Sequence, residues 1–273
     1  MIPTLHLRSI ITLGGALLAG ACASTATTGS AGAGDDAGAR LRAAALASIP
    51  NPDPRVDLAP GLFDAGEALW NLRLVSKTPP SSDFVGGINS DLAFTGDMVF
   101  QGSFAGFQVW DISDPSRPTL ANAYRCPASQ SDVSIYRNLL FVSGEDFGAR
   151  LDCGTQGVRE RVSPERLRGI RIFDVTDVRN PRYVANVQTC RGSHTHSLVE
   201  DPSDPANVYI YVSGSSPVRA SEELAGCSGR PPEEDPNSSL FRIEVIRVPL
   251  ADPARAAIVS SPRIFADLVG PET

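Results

Sequence analysis

The chain has 273 residues and a net charge of −7, long enough for one large all-β domain or two smaller ones. Its acidic balance excludes the electrostatic footprint of a nucleic-acid binder. The 24 glycines and 22 prolines exceed what a helix bundle tolerates and suit a turn-rich β protein.

Positive charge is carried by arginine except at Lys77, a bias read as GC-rich codon usage and not as a binding patch. Residues 1–21 carry Arg8, an apolar run from Ile10 to Leu18, and then Ala19-Gly20-Ala21. This is the pattern of a secretory signal peptide. Leu18-Ala19-Gly20-Ala21-Cys22 resembles a bacterial lipobox, with Ala19 where a branched aliphatic residue is usual. Lipidation of Cys22 would then be the only tie to a membrane. Ordinary cleavage at the Ala-x-Ala site is the alternative. Beyond the leader, no apolar run reaches the ~18 residues of a spanning helix. Residues 22–66 read as a disordered tether, rich in Ala, Ser, Thr and Gly at its start. A short helix is expected within 39–50, before Pro50, Pro52, Pro54 and Pro60 break the chain.

From residue 67 to 273 the sequence repeats itself. Gly106-Phe107-Gln108-Val109-Trp110-Asp111-Ile112-Ser113-Asp114 is followed by Pro118. Gly169-Ile170-Arg171-Ile172-Phe173-Asp174-Val175-Thr176-Asp177 is followed by Pro181 at the same spacing. A weaker third copy runs from Phe241 to Val248, then Asp252-Pro253. Alternating strands precede and follow each copy, so each unit reads as four short strands. Units of this kind are the mark of propeller blades, here 90–126, 131–190 and 195–265. Leu69–Ser76 reads as an added outermost strand that closes the last blade. The expected fold is therefore all-β, a partial β-propeller of about three four-stranded blades plus an N-terminal closing strand. The remaining blades would lie in missing sequence or come from another chain.

The two copies "GFQVWDISDPSRP" and "GIRIFDVTDVRNP" resemble the LVIVD repeat of bacterial and archaeal extracytoplasmic β-propellers. The resemblance covers about residues 68–265. It implies fold and location, not a reaction.

Three features fall on one expected face of the blades. The connections from Gly144 to Gly169 and from Gly214 to about Leu240 are long, and such loops are usually functional or disordered. The second carries Glu222-Glu223 and Glu233-Glu234-Asp235, read as a solvated acidic loop. Cys126 and Cys190 sit at equivalent strand ends, and Cys153 and Cys227 in equivalent loops. Of the three pairings that four cysteines allow, repeat symmetry favours Cys126–Cys153 and Cys190–Cys227, and export argues against a thiolate metal site. Finally, Asp91, Asp132 and His196 are aligned as the first residue of each innermost strand, with His194 two residues before His196. Carboxylate and imidazole ligands suit a divalent transition metal such as Zn, Fe, Mn or Cu on the propeller axis.

No G-x-S-x-G, H-E-x-x-H, Walker A or G-x-G-x-x-G motif is present. The leading expectation is an exported binding module that takes a protein, glycan or small ligand on its looped face. The alternative is a metal-dependent hydrolase or oxidoreductase with Asp91, Asp132, His194 and His196 around the ion.

Overall fold

A computed structural model describes residues 33–48, 50–62 and 64–263. The expected signal sequence, residues 1–21, and Cys22 lie outside the described residues. The chain divides into two compact units, Met1–Arg73 and Leu74–Thr273.

In the first unit, helix α1 spans Ala33–Ala47, longer than expected and inside the stretch read as a disordered tether. Ala, Arg and Leu have high intrinsic helix propensity, which suffices here without a buried face. Leu41 and Leu46 point to solvent. The helix stops before Pro50. The Trp70 indole donates to the Ser48 carbonyl at 2.9 Å.

The second unit is all-β. Sheet I comprises β1 (Asn89–Thr95), β2 (Met98–Ser103), β3 (Gly106–Asp111) and β4 (Thr119–Arg125). Sheet II comprises β5 (Val133–Tyr136), β6 (Leu139–Gly144), β7 (Gly169–Asp174) and β8 (Arg182–Gln188). Sheet III comprises β9 (His196–Val199), β10 (Asn207–Ser213), β11 (Ile243–Pro249) and β12 (Ala257–Ser260). Each sheet is an antiparallel meander in chain order. The closing strand expected at Leu69–Ser76 is absent; those residues join no ladder. Their apolar side chains stay exposed, and Pro79-Pro80 follows with no backbone N–H to give a ladder. What anchors the end of this segment is polar: Ser76 Oγ donates to the Pro115 carbonyl (2.8 Å), and the Ser81 N–H donates to Gln108 Oε1 (2.9 Å).

The internal repeat is exact at the level of hydrogen bonding. Gln101 pairs with Gln108, Val142 with Arg171, and Val212 with Glu244. One position further, a bulge interrupts the pairing of third and fourth strands in every sheet, at Val109/Trp110, Ile172/Phe173 and Val245/Ile246. The glycines that open β3 and β7 have a local cause. At Gly106 (φ 138°) a Cβ would lie 2.1 Å from the Tyr124 carbonyl oxygen, and at Gly169 (φ 149°) 2.0 Å from that of Val187. The neighbouring strand comes too close for any side chain. The weak third copy has Arg242 there, and its pairing begins one residue later, at Ile243.

Alternation along each strand sorts the core. Leu140, Val142 and Phe173 face sheet I, where they meet Phe100, Phe107 and Val109. Leu139, Phe141, Ile170 and Ile172 face sheet III, where they meet Val208, Ile210, Val212 and Ile246. Sheet II is therefore buried on both faces. Phe107, Tyr124, Phe173 and Tyr183 form an aromatic run between sheets I and II with ring centroids 5.1–5.2 Å apart. Burial of each such side chain contributes roughly 1.5–3 kcal/mol.

Candidate functional site

Two long loops leave the same edge of neighbouring sheets: residues 145–168 between β6 and β7, and 214–242 between β10 and β11. The corresponding connection in sheet I is the pair Phe104-Ala105. Disulfides tie each loop to the end of a preceding outer strand, Cys126–Cys153 and Cys190–Cys227. These are the pairs expected from the repeat. They belong in an oxidising compartment. Closing segments of 27 and 37 residues contributes about 3–4 kcal/mol each in the chain-entropy model.

Buried arginines complete the fastening. Arg171 on β7 is fully buried and donates to the carbonyls of Cys126 (3.1 Å), Pro127 (3.2 Å) and Arg150 (2.7 Å), around the first disulfide. Arg242 pairs with Glu244 at 2.8 Å and reaches Cys190 Sγ at 3.2 Å, beside the second. Burial pushes the Arg171 guanidinium below its ordinary value.

The two loops are also joined to each other. Glu223 of the second loop is buried and pairs with Arg166 of the first and with Arg219 of its own, the latter at 2.6 Å. It also accepts from the Ser163 N–H at 3.0 Å. Arg166 donates to the carbonyls of Phe147 (2.6 Å), Arg161 (3.1 Å) and Glu160. Arg219 donates to Gln188 Oε1 (2.6 Å) and to the Arg166 carbonyl (3.1 Å). Glu223, read from sequence as part of a solvated acidic loop, is instead the bolt between the loops. Arg166, Arg168, Arg171 and Arg219, part of the arginine bias read from sequence as codon usage, are all buried. Two of them, Arg166 and Arg168, lie in an insertion dense in arginine, with Arg150, Arg159 and Arg161.

These side chains border a cleft of about 340 Å³, lined by Phe147, Arg161, Arg166, Arg168, Arg219 and Glu223 among others. Arg168 is 1% exposed. Its guanidinium carbon lies 4.8 Å from the centre of the Phe147 ring. Among the described residues its one side-chain hydrogen bond runs from Nη2 to the Pro217 carbonyl, at 2.6 Å. Its Nε has no acceptor. Burial, and then the charge of Arg219, pushes it down to about 10.

The residues proposed from sequence as metal ligands lie on the first strand of each sheet or just before it, and they divide into two groups. Strand pairing places Leu92 opposite Gln101, Val133 opposite Val142 and His196 opposite Val212. His196 is thus equivalent to Leu92 and Val133, and Thr195 to Asp91 and Asp132. The expected alignment of Asp91, Asp132 and His196 is off by one residue, which turns the imidazole to the other side of its strand. It meets the preceding sheet instead. His196 Nδ1 lies 3.0 Å from Asp132 Oδ2 and 2.8 Å from Ser143 Oγ, and Nε2 lies 2.6 Å from Ser134 Oγ. Asp132 also accepts from the His196 N–H at 3.0 Å, as Asp91 accepts from the Val133 N–H at 3.3 Å. Burial pushes the Asp132 carboxyl up, but hydrogen bonding to His196, its charge, and a bond involving Asp91 outweigh this and hold it below the ordinary range.

His194 stands apart. It pairs with Glu145 through Nδ1 and accepts from the Gln130 amide at Nε2 (2.6 Å). Among the described residues no group of three or more His, Cys, Asp or Glu is arranged to hold a metal ion. The four expected ligands do not fit one, since each imidazole is turned to its own partners. Ser134, His196 and Asp132 have the connectivity of a nucleophile, a base and an orienting carboxylate. Yet the His196 side chain has no exposed surface, and the group works as a bracket between sheets II and III.

No family model matches the chain, and no curated protein matches it. Among solved structures, the computationally designed Ika4 protein is similar over 69% of this chain and 99% of its own, at 9% identity and a TM-score of 0.29. A phage phi92 endosialidase is similar over 64% of this chain and 26% of its own, at 10% identity and a TM-score of 0.29. Likenesses of this size settle neither fold nor function.

Proposed function

We propose that the chain contributes three blades of an exported β-propeller of the LVIVD type, and that it is a binding module working through its looped face. The signal sequence supports export and the lipobox-like Cys22 supports anchoring in a bacterial envelope. The order of stacking, sheet upon sheet along the chain with one register and one bulge position, supports the blade reading. The observation that carries the function is the bolt at Glu223. Two loops, each closed by a disulfide and joined through one buried carboxylate, form a surface fixed before any partner arrives. Such preorganisation lowers the entropic cost of binding, and loops on a rigid scaffold are where recognition residues concentrate.

The full-length chain should be screened by thermal shift against glycans and small metabolites. Ligands found this way should be weakened tenfold or more by Phe147→Ala and left unaffected by Arg179→Ala, in a turn at the opposite edge. Ligands weakened by Arg179→Ala and indifferent to Phe147→Ala would overturn the reading.

A further inference from the structure

We infer that the cleft between the two loops is a binding site for an oxyanion, the phosphate, sulfate or carboxylate group of a small ligand, with Arg168 as its principal donor. The inference deepens the proposed function and rests on it. Four arginines line the cleft against one glutamate, in a protein whose net charge is −7. Glu223 is already spent, because it serves Arg166, Arg219 and the Ser163 N–H. Among the described residues no carboxylate bonds Arg168; Glu223 and Glu145 act on it only through space, and its guanidinium bonds one neutral carbonyl.

A buried charge to which no counter-charge is bonded is costly. It is retained where something else supplies the missing charge. Guanidinium groups suit that task, since they offer several planar donors to oxyanions. Phe147 packs over the Arg168 guanidinium and over that of Arg166 at 5.9 Å. It is 51% exposed, so it forms an apolar wall at the mouth. Arg161 is exposed at the same mouth, where it can meet an incoming anion first.

The test is titration of the full-length chain with sodium phosphate, sodium sulfate and sodium acetate. Each is compared with sodium chloride at matched ionic strength, and followed by thermal shift and calorimetry. At least one anion should raise the melting temperature saturably, by about 2–4 °C at ten times its Kd. The three arms tell a tetrahedral dianion from a carboxylate. Arg168→Met should abolish the shift while melting no lower than wild type without anion, since it removes a buried charge that no carboxylate bonds and keeps most of the volume. Should Arg168→Met fail to fold, Arg161→Gln provides the reading, with affinity expected to fall several-fold. The inference is overturned if no anion acts beyond chloride, or if the response survives Arg168→Met or is unchanged in Arg161→Gln. Absence of anion binding would sink it even if the ligand screen maps to the looped face, so the two proposals fail separately.

Discussion

His196 and Asp132 show how one position of register decides a residue's role. A histidine in Ser193-His194-Thr195-His196 looks like a ligand when aligned by chemistry with Asp91 and Asp132. Aligned by backbone pairing it becomes a core residue that fastens two sheets. Sequence alone lacked the ladder, and the side-chain period of two makes a single-residue error a change of face. The bracket also has a pH signature. The Asp132 carboxyl is held below its ordinary range when folded, so its contribution to stability is present above the unfolded pKa of about 3.9 and is lost as pH falls through the lowered folded value. Asp132→Asn should keep the geometry and lose this component. Urea midpoints measured from pH 5 down to pH 2.5 should fall less steeply in the variant. Parallel profiles would mean that the carboxylate contributes nothing as a charge.

At the scale of elements, much was legible. The Gly-φ-x-φ-φ-Asp segments fell on β3 and β7, and the following strands on β4 and β8, because alternation and Asp-Pro turns report strand ends directly. Leu69–Ser76 misled for a related reason: its alternating pattern has no paired neighbour to satisfy its backbone. Helix α1 extended beyond the expected residues because propensity, not packing, holds it. The arginine density of the first loop is visible in the sequence, but its burial is not, since nothing in a sequence pattern says that a charged side chain in an insertion will be buried. The hairpin glycines give a sharp test of the repeat. Gly169→Ala would force a Cβ toward the Val187 carbonyl at a φ of 149°. It should cost about 3 kcal/mol, the upper range for local backbone strain, as read from urea denaturation. A cost below about 1 kcal/mol would show that the strands can separate there without penalty.

For the second unit as a whole, stability should be distributed according to stacking. Sheet II is covered on both faces, while sheets I and III each have one neighbour in the described residues. Strand β12 is exposed along its length. Local opening is easiest where few apolar contacts are lost. Amide hydrogen exchange should therefore be slowest in β6 and β7, and fastest in β12. Uniform protection across all three sheets would mean that they open as one unit and that stacking order does not grade them.

The bolt at Glu223 carries a consequence for how such a surface can diversify. The tips of the two loops, Thr155-Gln156 and Glu233-Glu234, are exposed, while the residues that fasten the loops lie beneath them and are shared. Tips can be lengthened, shortened or exchanged with little effect on the cleft, because neither loop's path depends on its outermost residues. The bolt itself is a joint dependency. A change at Glu223 withdraws support from both loops at once, so variation is free at the rim and constrained at the centre.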